Sequence, residues 1–211
     1  MKKTKTSNNL ANTKTVIAVS GYAQAGKDTF ADAVEEALGQ GILIKRFKFA
    51  EPLRTSIKLA FDYLGIKVSP WTESQKDKKK LRPLFITLGE YARGEDLDIF
   101  AKIAASEVES SLKADCEIAI ITDLRYSNEN RVLSELCNRN GYKYHRVHIV
   151  RVGNKPASEV EEQSVALLLN DGIDIQYVAN DGDLNMIKSF AKECVSIINK
   201  NCLHSSMKDV T

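Results

Sequence analysis

Lys27 closes the run Gly21-Tyr22-Ala23-Gln24-Ala25-Gly26-Lys27, and Asp28 and Thr29 follow it directly. A glycine-bounded turn ending in lysine, set between an apolar run and a helical pattern, is the arrangement that wraps a nucleotide polyphosphate. Its N–H groups face the phosphates, the helix dipole favours their charge, and the lysine adds a mobile cation. Asp-Thr stands where Ser or Thr more often follows the lysine directly. The plainer alternative is a strand–turn–helix whose glycines serve only the turn. Asp28 beside phosphates would be repulsive unless a metal, a water or a cation intervenes.

A second group is Asp123-Leu-Arg125-Tyr-Ser-Asn-Glu129, which ends the apolar run Ile118-Ala-Ile-Ile121. A carboxylate at such a strand end can hold a magnesium-bound water or an acceptor hydroxyl. Arg125 can fork onto a phosphate, which a lysine cannot do. The structural alternative has Asp123 capping the next helix and Arg125 paired with Glu129 at helical spacing. Arg54 falls in the first turn after Glu51-Pro52, where it could face an acceptor or simply the solvent. Arg82, Gly89 and Arg93 share one apolar helical pattern, and Gly89 could let a ligand approach the backbone. Arg151 opens the polar run 151–163, a candidate lid. Asn180-Asp-Gly182-Asp183 is a turn in which Asp183 could cap the last helix. His145 and His148, with Val147 and Ile149 nearby on one strand, read as structural, and no zinc spacing occurs.

These residues must be carried by strands and helices in alternation. The pattern predicts strands over 15–20, 42–49, 117–122, 143–150 and 175–179. Helices are expected over 27–39, 51–64, 82–92, 96–113, 127–140, 158–170 and 183–200. Continuous apolar strands separated by helices imply a parallel sheet covered on both faces, with ligands beyond the strands' carboxyl ends. The expected fold is an α/β P-loop three-layer sandwich, with a mostly parallel five-stranded sheet and a helical acceptor-binding insertion near 51–113. Residues 14–202 form the single domain; 1–13 and 203–211 read as loose tails. Within the insertion, Gly65 to Gln75 reads as loop and Lys76 to Arg82 as a basic surface or phosphate-facing segment.

With 211 residues, 43% apolar, 27% charged and a net charge of +2, the composition is that of an ordinary soluble protein without a polyanion-binding face. No apolar run approaches the roughly 20 residues that cross a bilayer. Four cysteines without a C-x-x-C pair suit a reducing interior, so the expected location is cytoplasmic, in the host if the chain is viral.

Over roughly residues 15–190 the chain resembles the bacteriophage-type deoxynucleoside monophosphate kinases, relatives of the adenylate-kinase-like P-loop proteins. The likeness rests on Gly-Lys27-Asp28-Thr29, Phe-Ala50-Glu-Pro-Leu, Arg82…Leu-Gly89, Asp123-x-Arg125-x-x-x-Glu129, Arg151 and Asn180-Asp-Gly182. It departs from that family's pattern at Ile86, Glu90 and Phe100, where Gln, Thr and Trp are more usual. The resemblance implies transfer of the γ-phosphoryl group of ATP, with Mg2+, to a deoxynucleoside monophosphate. The ATP side would comprise Gly21, Ala25, Gly26, Lys27, Asp28, Thr29 and Asn180. Glu51, Arg54, Arg82, Gly89, Glu90, Arg93, Phe100, Asp123, Arg125 and Glu129 would line the acceptor. Lys27, Arg125 and Arg151 would act on the transferred group, and Thr29 and Asp123 on the metal. Expected partners are small molecules, without nucleic acid or membrane; a homodimer is compatible. Two rival readings are a small-molecule kinase such as one acting on dephospho-coenzyme A, with Asp123 as base, and a nucleotide-binding protein without turnover.

Overall fold

The computed structural model describes residues 14–205, with side chains to residue 198; the segment 1–13 and residues beyond 205 lie outside it. The chain runs β1 (Thr15–Ser20), α1 (Lys27–Leu38), β2 (Ile44–Phe47), α2 (Glu51–Leu64), α3 (Gln75–Glu95) and α4 (Ile99–Ala114). It continues through β3 (Ile118–Leu124), α5 (Ser127–Asn140), β4 (Lys143–Arg151), α6 (Glu159–Leu169), β5 (Gln176–Asn180) and α7 (Leu184–Ser205).

The strands form one sheet in the order β2-β3-β1-β4-β5, and every pair is parallel rather than mostly so. β1 is buried along its whole length because side chains alternate between two covered faces. Ile17 and Val19 pack with Phe30 and Val34 of α1 and Ile187 and Ala191 of α7. Val16 and Ala18 face Ala104 and Val108 of α4 and Leu133 and Leu136 of α5. This is the expected three-layer sandwich.

The insertion has a small core of its own: Ile57 and Phe61 of α2 meet Leu81 of α3, flanked by Leu53, Phe85 and Leu88. Its boundaries correct two expectations. α3 starts at Gln75, not at 82, because the Ser74 hydroxyl accepts from Asp77 N and starts the helix there. The basic run 76–82 is therefore helical, and Pro83 sits inside the helix instead of opening it. α4 starts at Ile99, since Asp96 ends α3 and Asp98 precedes the new helix. β2 is shorter than predicted because Lys48 O accepts from Glu51 N, turning the chain into α2. β3 extends to Leu124, so Asp123 belongs to the strand itself. α7 runs to Ser205, beyond the expected end at 200. Among the described residues no helix is long and apolar enough to cross a membrane.

Candidate active site

β1 ends at Ser20, and the following turn owes its shape to two glycines. Gly21 has φ 142 and Gly26 φ 98, both in the region that side chains disfavour. A Cβ on Gly21 would stand 2.6 Å from Ile149 O, so the turn is pressed against the end of β4. Asn180, buried at the end of β5, donates Nδ2 to Ala25 O at 2.7 Å. Arg151 Nη1 donates to Gln24 O at 3.0 Å, and Asn154 Nδ2 to Ala23 O at 2.9 Å. Three consecutive turn carbonyls are thus held from outside, while Ala25 N closes the turn onto Tyr22 O at 3.1 Å.

Lys27 Nζ donates to Gly21 O and Tyr22 O, each at 2.8 Å. Burial first, and then the Arg125 charge, holds its ammonium below the usual lysine range. Burial raises the Asp28 carboxyl, but the Thr122 hydroxyl at 2.8 Å and Lys48 at 3.3 Å outweigh it and keep the group below its ordinary range. Lys48 is the cation that Asp28 requires, and the sequence did not single it out because it sits inside the run read as strand. Thr29 follows on the exposed side of α1.

A cavity of about 280 Å³ adjoins this turn, and its walls include Lys27, Asp28, Lys48, Arg54, Arg93 and Arg125. Phe49, Phe100, Thr122, Asp123, Tyr126 and Glu129 complete its polar and aromatic lining. A wider cleft of about 610 Å³ continues from Arg54, Arg93 and Arg125 to Arg82, Phe85 and Ile86. Arg93 places its guanidinium carbon 5.0 Å from the ring centroids of both Phe100 and Tyr126.

Asp123 receives Phe49 N at 2.9 Å and Ala50 N at 3.1 Å, so its carboxylate clamps the start of α2. Asp123 therefore does not cap the following helix, the structural alternative for it, because both its oxygens are taken by the backbone ahead of α2. That helix, α5, is capped by Glu129, whose Oε2 receives Arg125 N at 2.9 Å and Tyr126 N at 3.1 Å. Burial drives the Glu129 carboxyl up to about 8 against those donors, and the nearby Asp123 adds to the rise. Burial likewise raises Asp123. Arg125 is directed toward Glu161 at 3.8 Å rather than paired by its side chain with Glu129.

Three acceptor candidates stand elsewhere. Glu51 is occupied by Trp71 Nε1 at 2.9 and 3.1 Å. Glu90 is exposed on α3, outside both cavities. Gly89 gives room to protein instead of ligand: a Cβ there would lie 3.3 Å from Arg93 Nη1 and 3.5 Å from Leu53 Cδ2. His148 Nδ1 meets Ser20 Oγ at 3.0 Å and its ring stands edge-on to Tyr177. Burial, with Arg146 and Lys27 nearby, lowers His148 to about 4, so it is a neutral brace beneath the turn.

Sequence reasoning missed Lys48, Tyr126 and Glu161. Glu161 carried a readable signal, Ser158-x-x-Glu161, which marks a helix start. Its second contact does not follow from any local pattern, since Ala23 N donates to Glu161 Oε1 at 3.1 Å across 138 positions.

Against known proteins, the profile described as phosphomevalonate kinase matches residues 19–139, more than half of the chain. No curated protein matches. Among solved structures, a gluconokinase from Sinorhizobium meliloti aligns over 91% of this chain and 97% of its own, at 12% identity and TM-score 0.49. The APS kinase of Mycobacterium tuberculosis, in complex with AMPPNP and APS, aligns over 88% and 98%, at 15% identity and TM-score 0.46.

Proposed function

The chain belongs to the phosphomevalonate kinase family, and from that premise we propose that it transfers the γ-phosphoryl group of ATP to the phosphate of a phosphomonoester. The observation that carries this reading is the continuity of the phosphate-type turn with an arginine-lined cavity. Lys27 and Asp28 share walls with Arg54, Arg93 and Arg125, and Arg82 lies further along the same cleft.

An acceptor phosphate has a second pKa of about 6, so at neutral pH it is mostly a dianion and already a nucleophile. The difficulty is holding two polyanions in line against their mutual repulsion. In this reading Lys27 would leave Gly21 O and Tyr22 O for the nucleotide's terminal phosphates, and Arg125 and Arg82 would meet the acceptor's. Arg151 now braces the turn through Gln24 O, so its part in catalysis is to keep the cradle in shape. Asp28 and Thr29 offer hard oxygen donors in the first turn of α1, which suits Mg2+ held partly by substrate phosphates. Bound there, the ion would neutralise charge on the transferred group. Among the described residues no cluster of three His, Cys, Asp or Glu could hold a metal alone.

For the acceptor we favour a deoxynucleoside monophosphate. Phe100 and Tyr126 offer aromatic faces beside the arginines, and the buried Glu129, protonated at neutral pH, could donate a hydrogen bond to a base or sugar. A second reading keeps the chemistry and changes the acceptor. Arg93 already engages both rings, which favours a ring-free phosphomonoester such as phosphomevalonate, the compound in the family's name. Purified protein incubated with Mg-ATP and each acceptor in turn, with products separated by chromatography, decides the matter. A deoxynucleoside diphosphate is the expected product; ADP release that no acceptor raises above background would sink the kinase reading.

A further inference from the structure

Glu161 is buried at 7% exposure, in the first turn of α6, and uses both carboxylate oxygens. One is explained locally: Oε2 receives Ala157 N at 2.7 Å, while Ser158 Oγ accepts Glu161 N at 3.2 Å, as a helix start requires. The other is not. Oε1 receives Ala23 N, inside the phosphate-type turn, and lies 3.8 Å from Arg125 Nη2. Its charge also acts on Lys27, opposing the effect of Arg125. A helix cap has no need to touch a turn on one side and an acceptor-facing guanidinium on the other.

We propose that Glu161 is a positioning residue that couples the nucleotide turn, the segment 152–158 and Arg125, so that the acceptor arginine is aimed only when the turn is in its binding shape. This rests on the kinase reading above. The carboxylate lies 3.8 Å from Arg125 and acts on Lys27 against the effect of Arg125, so it offsets the repulsion between those two cations. It also ties the stem of the candidate lid to the turn, through one side chain and without a covalent link. Loss of its charge should leave Arg125 free to turn into solvent and the segment free to lift, admitting water.

Glu161→Gln keeps the volume and an accepting oxygen for the cap but removes the charge. Its expected effect is an acceptor KM raised about tenfold, the loss of one charge-assisted contact, with acceptor-independent ATP hydrolysis raised relative to transfer. In an Arg125→Gln background the same change should add little. Ser164→Ala is the control, because Ser164 Oγ donates to Glu161 O at 3.0 Å within α6 and lines neither cavity: melting temperature should fall while acceptor KM and the hydrolysis-to-transfer ratio stay put. If Glu161→Gln behaves like Ser164→Ala, Glu161 only stabilises α6 and the proposal is overturned. Should Glu161→Gln not fold, amide exchange at Ala23 and Ala157 of the wild-type chain is measured with and without Mg-ATP. Protection gained at both together supports the coupling, and protection that changes at neither or at one alone overturns it. Calorimetric titration of Mg-ATP under the same conditions separates the two failures: binding without joint protection overturns this inference, and no binding overturns the kinase reading.

Discussion

Asn180 Nδ2 donates to Ala25 O at 2.7 Å, and a Cβ on the next residue, Gly26, would stand 2.6 Å from that same nitrogen. The last strand therefore fixes the turn by a bond that only a glycine at 26 leaves room for. Gly26→Ala meets a backbone penalty of about 1–2 kcal/mol at positive φ as well as this collision. A melting temperature several degrees lower and weaker ATP binding are expected, measured by thermal unfolding and calorimetry. Adding Asn180→Ala should relieve the collision but not the φ penalty, so stability should return only in part.

Among the described residues, Lys27 Nζ hydrogen-bonds two carbonyls of its own turn and forms no ion pair that braces another element. Lys27→Ala should therefore leave the melting temperature close to wild type while turnover falls about 10²–10³-fold, the usual scale for removing one preorganised charge-stabilising group. Normal acceptor-dependent ADP production by the folded variant would count against the assignment.

Arg125 is half-exposed at the mouth of the cavity, so its replacement costs the fold little. Arg125→Lys keeps the charge and loses the fork. Acceptor kcat/KM should drop at least tenfold, roughly the worth of one bidentate contact, whereas Arg139→Lys, on the far surface beside Glu109, should change nothing. Steady-state kinetics with the preferred acceptor compares the two.

Glu129 provides a pH test. Its folded carboxyl titrates at about 8, above its ordinary value of 4.5. A raised folded pKa means that the folded protein holds a proton the unfolded chain releases. The associated stability is complete below about pH 4.5 and is lost as pH rises through 8. Glu129→Gln mimics the protonated form and can still accept from Arg125 N and Tyr126 N. Its melting temperature should fall less than wild type's between pH 5 and pH 8, as followed by thermal unfolding across that range. Parallel curves for the two proteins would contradict the buried, protonated state.

The turn at 21–27, the alternation of strands with helices and the acid-x-arginine group at 123–125 were all legible in the chain. Each is local: glycines permit positive φ, apolar runs mark buried strands, and a strand end puts the next polar residues at the sheet's edge. α3 begins ahead of the expected 82 because the Ser74 hydroxyl accepts from Asp77 N, a start that the basic run 76–82 does not mark by apolar periodicity. Glu51, Gly89 and Glu90 could not be excluded from the acceptor wall beforehand, because the partners that claim or displace them come from packing between helices. The roles of Lys48 and Tyr126, and the contact of Glu161 with Ala23 N, were invisible for the same reason. Sequence alone determined the sandwich and the polyphosphate-type turn, since backbone conformation and burial depend on near neighbours. Tertiary structure alone decided which cations face that turn, because Arg54, Arg93, Arg125 and Glu161 meet only after the sheet and its insertion have folded together.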